Sequence, residues 1–214
     1  MTSKPLQSKR YFVPDLSPEG REELRKIKPK WIFVAESPHI NEIEPEEMKE
    51  RRPLCGMAGR KWWSLLSELL EGHANSDVSL ERLIQFCRVH RVAIMNSVQV
   101  PLDPKIATKF PKADPVKNIG FSKLSGSHSF KKLKGSEPVR GAIEALGARL
   151  RHDAVKNAKV VCLGNDAEWF VRQALGEAEA VKRLGDKIPH PSAWWRRGGY
   201  FGRVAKENLQ KVFS

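Results

Sequence analysis

Residues 31–59 read WIFVAESPHINEIEPEEMKERRPLCGMAG, and the change of character at Glu36 decides the fold. Trp31 to Ala35 is continuously apolar and rich in β-branched and aromatic residues, as expected of a parallel strand covered on both faces. Glu36-Ser37-Pro38-His39 then stands at the strand's carboxyl end, where open α/β sheets place their ligands, and Pro38 keeps the strand from running on. Glu36, Ser37, His39 and Glu42 are thereby concentrated at one mouth. For each of them singly, a solvated loop with a helix cap is the plainer reading. The turn from Pro53 to Gly59 shifts the balance, because it carries two glycines and leads straight into the apolar stretch Trp62–Leu70. Gly56 and Gly59 permit close approach by a ligand or a neighbouring strand, or serve the turn alone.

The same alternation continues outward. Ser17-Pro18-Glu19 has a helix-start pattern, and a short helix to about Ile27 precedes the strand. A helix is expected over Arg60–Glu71, ended by Gly72, and another from a Ser79 cap through Cys87. Val92–Met95 is a second buried strand ending at Asn96, whose amide offers the donor and acceptor needed to read a base edge. An amphipathic helix is expected from Pro138 to about Asn157, a third strand over Val160–Leu163 closed by Gly164, and a helix starting at Asn165 or Asp166. A mixed segment leads to His190-Pro191-Ser192-Ala193-Trp194-Trp195-Arg196-Arg197, and a final helix runs from about Gly202 to Val212. Strands alternating with helices argue for a mostly parallel sheet with helices on both faces.

A chain of 214 residues with 40% hydrophobic content suits one α/β domain with a real core. Its 38 Lys and Arg against 25 Asp and Glu give a formal charge of +13, which points to a polyanionic partner, nucleic acid first. From about residue 100 to 137 neither periodicity appears, and eight lysines lie there among Pro, Ser, Gly and three Phe. A long loop that reaches for phosphates is one reading, a solubilising loop the other. The first residues lack a signal-peptide core and no run of about 18 apolar residues exists, so an intracellular, cytoplasmic or nucleoid-associated place in a bacterium or archaeon is expected. Cys55, Cys87 and Cys162 are widely spaced in apolar surroundings and read as buried thiols, too few for a four-cysteine metal or iron–sulfur site.

Three separated segments in this order resemble one family, the uracil-DNA glycosylase superfamily, over about residues 31 to 212. The thermostable bacterial and archaeal branch carries G-E-x-P-G, an acid-rich stretch and P-F-x-G-x-A-G; Ala35-Glu36-Ser37-Pro38-His39, Glu42 and Pro53–Gly59 fall at matching places. Ile94-Met95-Asn96 matches the strand ending in Asn, His190-Pro191-Ser192-Ala193 matches H-P-S with its insertion loop, and Val161-Cys162-Leu163-Gly164 with Ala167 resembles the L-G-x-x-A step. The chain departs from that branch at Ala35 and His39, both usually Gly, at Ile43, often Asp, and in lacking the four iron–sulfur cysteines. Leu54 stands where many members present a Phe to stack on the base.

The resemblance implies a three-layer α/β/α sandwich around a mostly parallel four-stranded sheet, a single domain over residues 1–214, and a monomeric DNA glycosylase without cofactor or metal. It would flip a damaged base, uracil first, out of DNA and hydrolyse its N-glycosidic bond. His190 would hydrogen-bond the base oxygen, with its imidazole kept neutral by burial beside a basic surface. Glu42, with Glu36 as rival, would orient water and face the sugar cation. Asn96 would read the base, with Ser37, His39 and Leu54 around it. Pro38 and Ser192 would lie near the flanking phosphates, and Ala193, Trp194, Trp195 and Arg196 would form a wedge in the vacated stack. Competing readings are a nucleic-acid binder of the same fold without catalysis, a glycosylase for another deaminated base such as hypoxanthine, and a metal nuclease using Glu36, Glu42, Glu46 and Glu47.

Overall fold

A computed structural model of the chain describes residues 25–38, 42, 54–99, 135 and 137–214. The apolar run Trp31–Ala35 forms β1, which pairs in parallel with β2 (Val92–Asn96) on one side and β3 (Lys159–Cys162) on the other. The register sets Ala35 beside Asn96 and Val34 beside Cys162, so all three strands end at one level. The described protein is thus mixed α/β around a three-stranded parallel sheet. Beyond β3, residues 184–188 run alongside it with isolated parallel bridges at Val160–Leu184 and Leu163–Ile188. Gly185 and Ile188 donate to the carbonyls of Val160 and Cys162, at 2.9 and 3.0 Å.

Helix α1 (Met57–Glu71) buries Gly59, Trp62, Trp63, Leu66 and Ser67, the spacing of one helical stripe. Trp31 and Phe33 share a face of β1 because side chains alternate along a strand. There they meet Phe213, and Phe33 also meets Trp62 with ring centroids 4.9 Å apart. Glu71 at the end of α1 accepts Arg82 and lies 3.4 Å from His90 Nε2, tying α1 to α2 (Leu80–His90). Helix α3 (Glu137–Leu150) and α4 (Asn165–Leu175) follow β2 and β3, and α4 buries Ala167, Phe170, Val171, Ala174 and Leu175. α5 (Glu177–Arg183), a 3-10 turn (Pro191–Ala193) and α6 (Arg196–Phe213) complete the order.

Several boundaries differ from the sequence expectation. α1 starts at Met57, three residues early, because Gly56 accepts from Arg60 and begins the helix. α3 stops at Leu150 rather than continuing to Asn157. His152 Nδ1 takes the Ala154 N–H, and buried Arg183 takes the carbonyls of Leu150, Val155 and Ala158, so a turn replaces the helix. Arg183 lies in α5, a seven-residue helix inside the stretch read from the sequence as a mixed segment. Seven residues are too few for helicity of their own, and tertiary bonds supply the stability. α6 begins at Arg196 but passes through left-handed backbone at Arg197, Gly198 and Gly199 before becoming regular. Ser79 makes no side-chain cap; its hydroxyl and N–H both turn back to Asp77, at 2.9 and 2.8 Å.

Cys87 and Cys162 are buried, and burial pushes both thiols up and keeps them protonated; Cys55 is half-buried. Among the described residues, no helix is long and apolar enough to cross a membrane. The basic loop, His39, Glu46, Glu47 and the expected helix before Arg25 lie outside the described residues.

Candidate functional site

The parallel register brings the end of each strand to one edge of the sheet. Ser97 N–H and hydroxyl both donate to Ala35 O, at 2.7 and 3.0 Å, and Val98 N–H donates to Glu36 O at 2.9 Å. Glu36 and Asn96 are therefore fixed side by side by main-chain bonds. Arg149 of α3, 5% exposed, donates to the carbonyls of Asn96 and Ser97 at 2.8 and 3.1 Å and holds that strand end from outside the sheet. Nothing in the local sequence around Arg149 announces this role, since it depends on α3 crossing the end of β2.

Asn96 is 1% exposed and Glu42 2% exposed, and Asn96 Nδ2 donates to Glu42 Oε2 at 3.4 Å. Two residues 54 apart in sequence thus meet in the interior. Asn96 Oδ1 is buried with no hydrogen-bond partner among the described residues. A buried amide oxygen left open costs about 1–3 kcal/mol, so a group that arrives with an N–H would be rewarded there. Glu36, at the end of β1, has its carboxyl pushed up to about 7 by burial and then by the nearby negative charge of Asp166. Asp166 sits in the first turn of α4; burial raises its own carboxyl, and its Oδ1 also lacks a partner among the described residues. The sequence reading took Asp166 only as a helix start. Its acid type was visible, but its placement against Glu36 follows from β1 and β3 being neighbours.

His190 arrives from the third strand end. Gly164 N–H donates to Ile188 O at 2.8 Å, and Trp194 Nε1–H donates to Pro189 O at 2.8 Å, so the residues before His190 are gripped from both sides. Gly164 has φ +99°, and a Cβ there would lie 3.1 Å from His190 Cβ; both the backbone angle and the close approach call for glycine. The Ser192 N–H donates to His190 Nδ1 at 3.2 Å, and the Ser192 hydroxyl is 2.7 Å from the same nitrogen. A main-chain N–H can only donate, so Nδ1 accepts and the neutral ring carries its proton on Nε2. Burial, then the positive charge of Arg196, pushes the imidazole below its ordinary range.

The other expected site residues fall in different places. Ser37 is half-buried and Pro38 buried beside Glu36, so Pro38 shapes the loop and presents little surface of its own. Leu54 is buried in the core with φ +54°, and a Cβ on Gly59 would collide with its carbonyl. Gly59 thus serves the packing of that turn, and Leu54 offers no aromatic face. Trp194 does not belong to a wedge: it is 8% exposed, its ring lies 6.2 Å from Trp62, and its N–H is spent on Pro189. The resemblance implied a wedge of both indoles, whereas Trp194 points inward ahead of the left-handed turn and Trp195 stays 53% exposed. Ala193 is half-buried and Arg196 exposed on the same rim. Among the described residues, no three His, Cys, Asp or Glu side chains come together to hold a metal ion.

What the mouth provides is an amide with an open acceptor, a buried acid bonded to its donor, a second acid that titrates near neutrality, and a neutral imidazole. Compared with known proteins, the chain matches no protein-family model and no curated protein sequence.

Proposed function

We propose that the chain is a divergent member of the uracil-DNA glycosylase superfamily, a monofunctional enzyme that turns a damaged base out of DNA and hydrolyses its N-glycosidic bond, with uracil as first substrate. The observation that carries this reading is the contact of Glu42 with Asn96 at the carboxyl end of the parallel sheet, beside Glu36, with His190 packed on Gly164 just beyond the third strand. The finer architecture belongs to the same proposal: a three-layer sandwich in which the stretch 184–188 acts as an irregular fourth strand.

Breaking the bond between base nitrogen and C1′ sends an electron pair to the base and leaves positive charge on the sugar. The Nε2–H of His190 would hydrogen-bond the base carbonyl oxygen as its charge grows, without transferring its proton. Asn96 Oδ1 would accept the ring N–H of a pyrimidine while the Nδ2 group, shared with Glu42, donates to the neighbouring carbonyl. A water adding to C1′ loses a proton, and Glu36, poised near neutrality, is suited to receive it while Glu42 stabilises the cation. The formal charge of +13 would hold the DNA backbone.

Release of free uracil from single- and double-stranded oligonucleotides tests the proposal, with hypoxanthine substrates beside them. Base release is expected from the parent protein, rising as pH passes through about 7 and Glu36 ionises, and it should be lost in His190→Ala. An abasic product from none of these substrates would refute it. A non-catalytic binder of the same fold has one observation in its favour, the burial of Leu54 where an aromatic stacking face would serve the base. Tight binding with no base released would establish that alternative.

A further inference from the structure

A groove of about 530 Å³ lies between α1 and α6, apart from the acids of the mouth. Arg60 and Lys61 line it from α1, and Arg203 and Lys206 from α6, with Trp194 on its wall. Lys206 is paired with Glu68 at 2.7 Å. Arg60, Lys61 and Arg203 are exposed, and among the described residues Arg203 donates to the uncharged Gly198 carbonyl, at 3.2 Å, and to no acid. Among the described residues the groove therefore keeps three positive charges beyond one ion pair. Lys61 Nζ lies 5.2 Å from the centre of the Trp195 ring, which is 53% exposed at the lip. Cations alternating with an open indole face suit a strand that offers phosphates and unstacked bases together. An acidic peptide would use the charges and leave the indole idle. Trp194 on its wall stands two positions after Ser192, whose hydroxyl lies 2.7 Å from His190 Nδ1, so one stretch of chain runs from the groove wall to His190.

We propose that the α1–α6 groove is a track for single-stranded DNA flanking the nucleotide held at the mouth, with Arg60, Lys61 and Arg203 on phosphates and Trp195 stacked on a base. The direction of this path rests on the glycosylase reading, but its test does not. Anisotropy of a labelled, undamaged single-stranded oligonucleotide and of the matching duplex is measured with the full chain across a salt series. Lys61→Ala combined with Arg203→Ala should weaken single-strand binding about tenfold at low salt and flatten its logarithmic salt slope by roughly 1.4, about 0.7 per lost phosphate contact. Trp195→Ala should weaken it about tenfold with the slope unchanged, as stacking predicts. Glu68→Gln should tighten it. Circular dichroism checks folding, and Arg203→Gln alone, at an exposed position, replaces the double variant if that fails to fold. Unchanged affinity and slope in the groove variants would overturn the track, and equal losses on duplex and single strand would overturn its strand preference. Base release without groove-dependent binding sinks the track alone; groove-dependent binding without base release from any lesion sinks the glycosylase reading alone.

Discussion

The turn after α3 and the mouth at the sheet's carboxyl end both bury polar groups, and they complete them in opposite ways. Arg183, 7% exposed, donates to Leu150 O, Val155 O and Ala158 O at 2.9, 3.0 and 3.1 Å and to Glu179 at 3.0 Å. Every direction of its guanidinium fork that the turn can use is used, and the turn is rigid for that reason. At the mouth, Asn96 Oδ1 and Asp166 Oδ1 are buried and open among the described residues. Two core indole N–H groups, of Trp62 and Trp63, also lack partners among the described residues, but each ring packs on a phenylalanine, where shape decides its place. The mouth differs in grouping open acceptors with an acid that titrates near neutrality. A satisfied cluster holds a fold, whereas an unsatisfied one is paid for by stability and recovers it from a ligand.

The largest effect expected from breaking this contrast is at the satisfied cluster. Arg183→Met should cost roughly 3–5 kcal/mol in chemical denaturation, because three carbonyls and Glu179 lose a buried partner. A loss under about 1 kcal/mol would mean that solvent replaces the guanidinium easily and that the turn is not truly interior.

At the mouth the effect should fall on function. His190→Ala is expected to lower base release by about 10²–10³-fold, the range for a lost hydrogen bond to a developing oxyanion, while denaturation moves by no more than ~1 kcal/mol. Gly164→Ala comes next, with a cost of about 1–2 kcal/mol from its positive φ, and it should displace His190 through their close contact. Paired measurement of thermal midpoint and base release would separate the two: a fall in stability with release intact would show that Gly164 serves the turn alone.

The last effect is read as a function of pH, and it has opposite signs for two groups of the mouth itself. In the fold Glu36 holds its proton up to about 7, whereas when unfolded it releases it near its ordinary 4.5. Between those values the folded state binds more protons, so stability falls as pH rises. Glu36→Gln should therefore raise stability at pH 8 by roughly 1–2 kcal/mol, discounted for partial exposure, and leave it unchanged at pH 4. His190 runs the other way: its depressed imidazole leaves stability intact above its ordinary 6.5 and erodes it as pH falls below. Denaturation curves at several pH values check both, and a Glu36→Gln variant no more stable at pH 8 would show that the mouth stores nothing there.

Continuous apolar runs determined the three strands, since five residues such as Trp31–Ala35 with no polar member can rest only between covering layers. The pattern in α1 and the strand-end positions of Glu36 and Asn96 were legible for the same reason: periodicity is local. Tertiary structure alone decided that Glu42 meets Asn96, that Asp166 charges the surroundings of Glu36, and that Arg149 fixes the end of β2. It also turned Trp194 inward and ended α3 at Leu150, where long-range bonds to Arg183 outweighed local propensity. Contacts between residues far apart in sequence depend on strand order and helix crossing, and these are set by how whole faces pack, which no local pattern encodes.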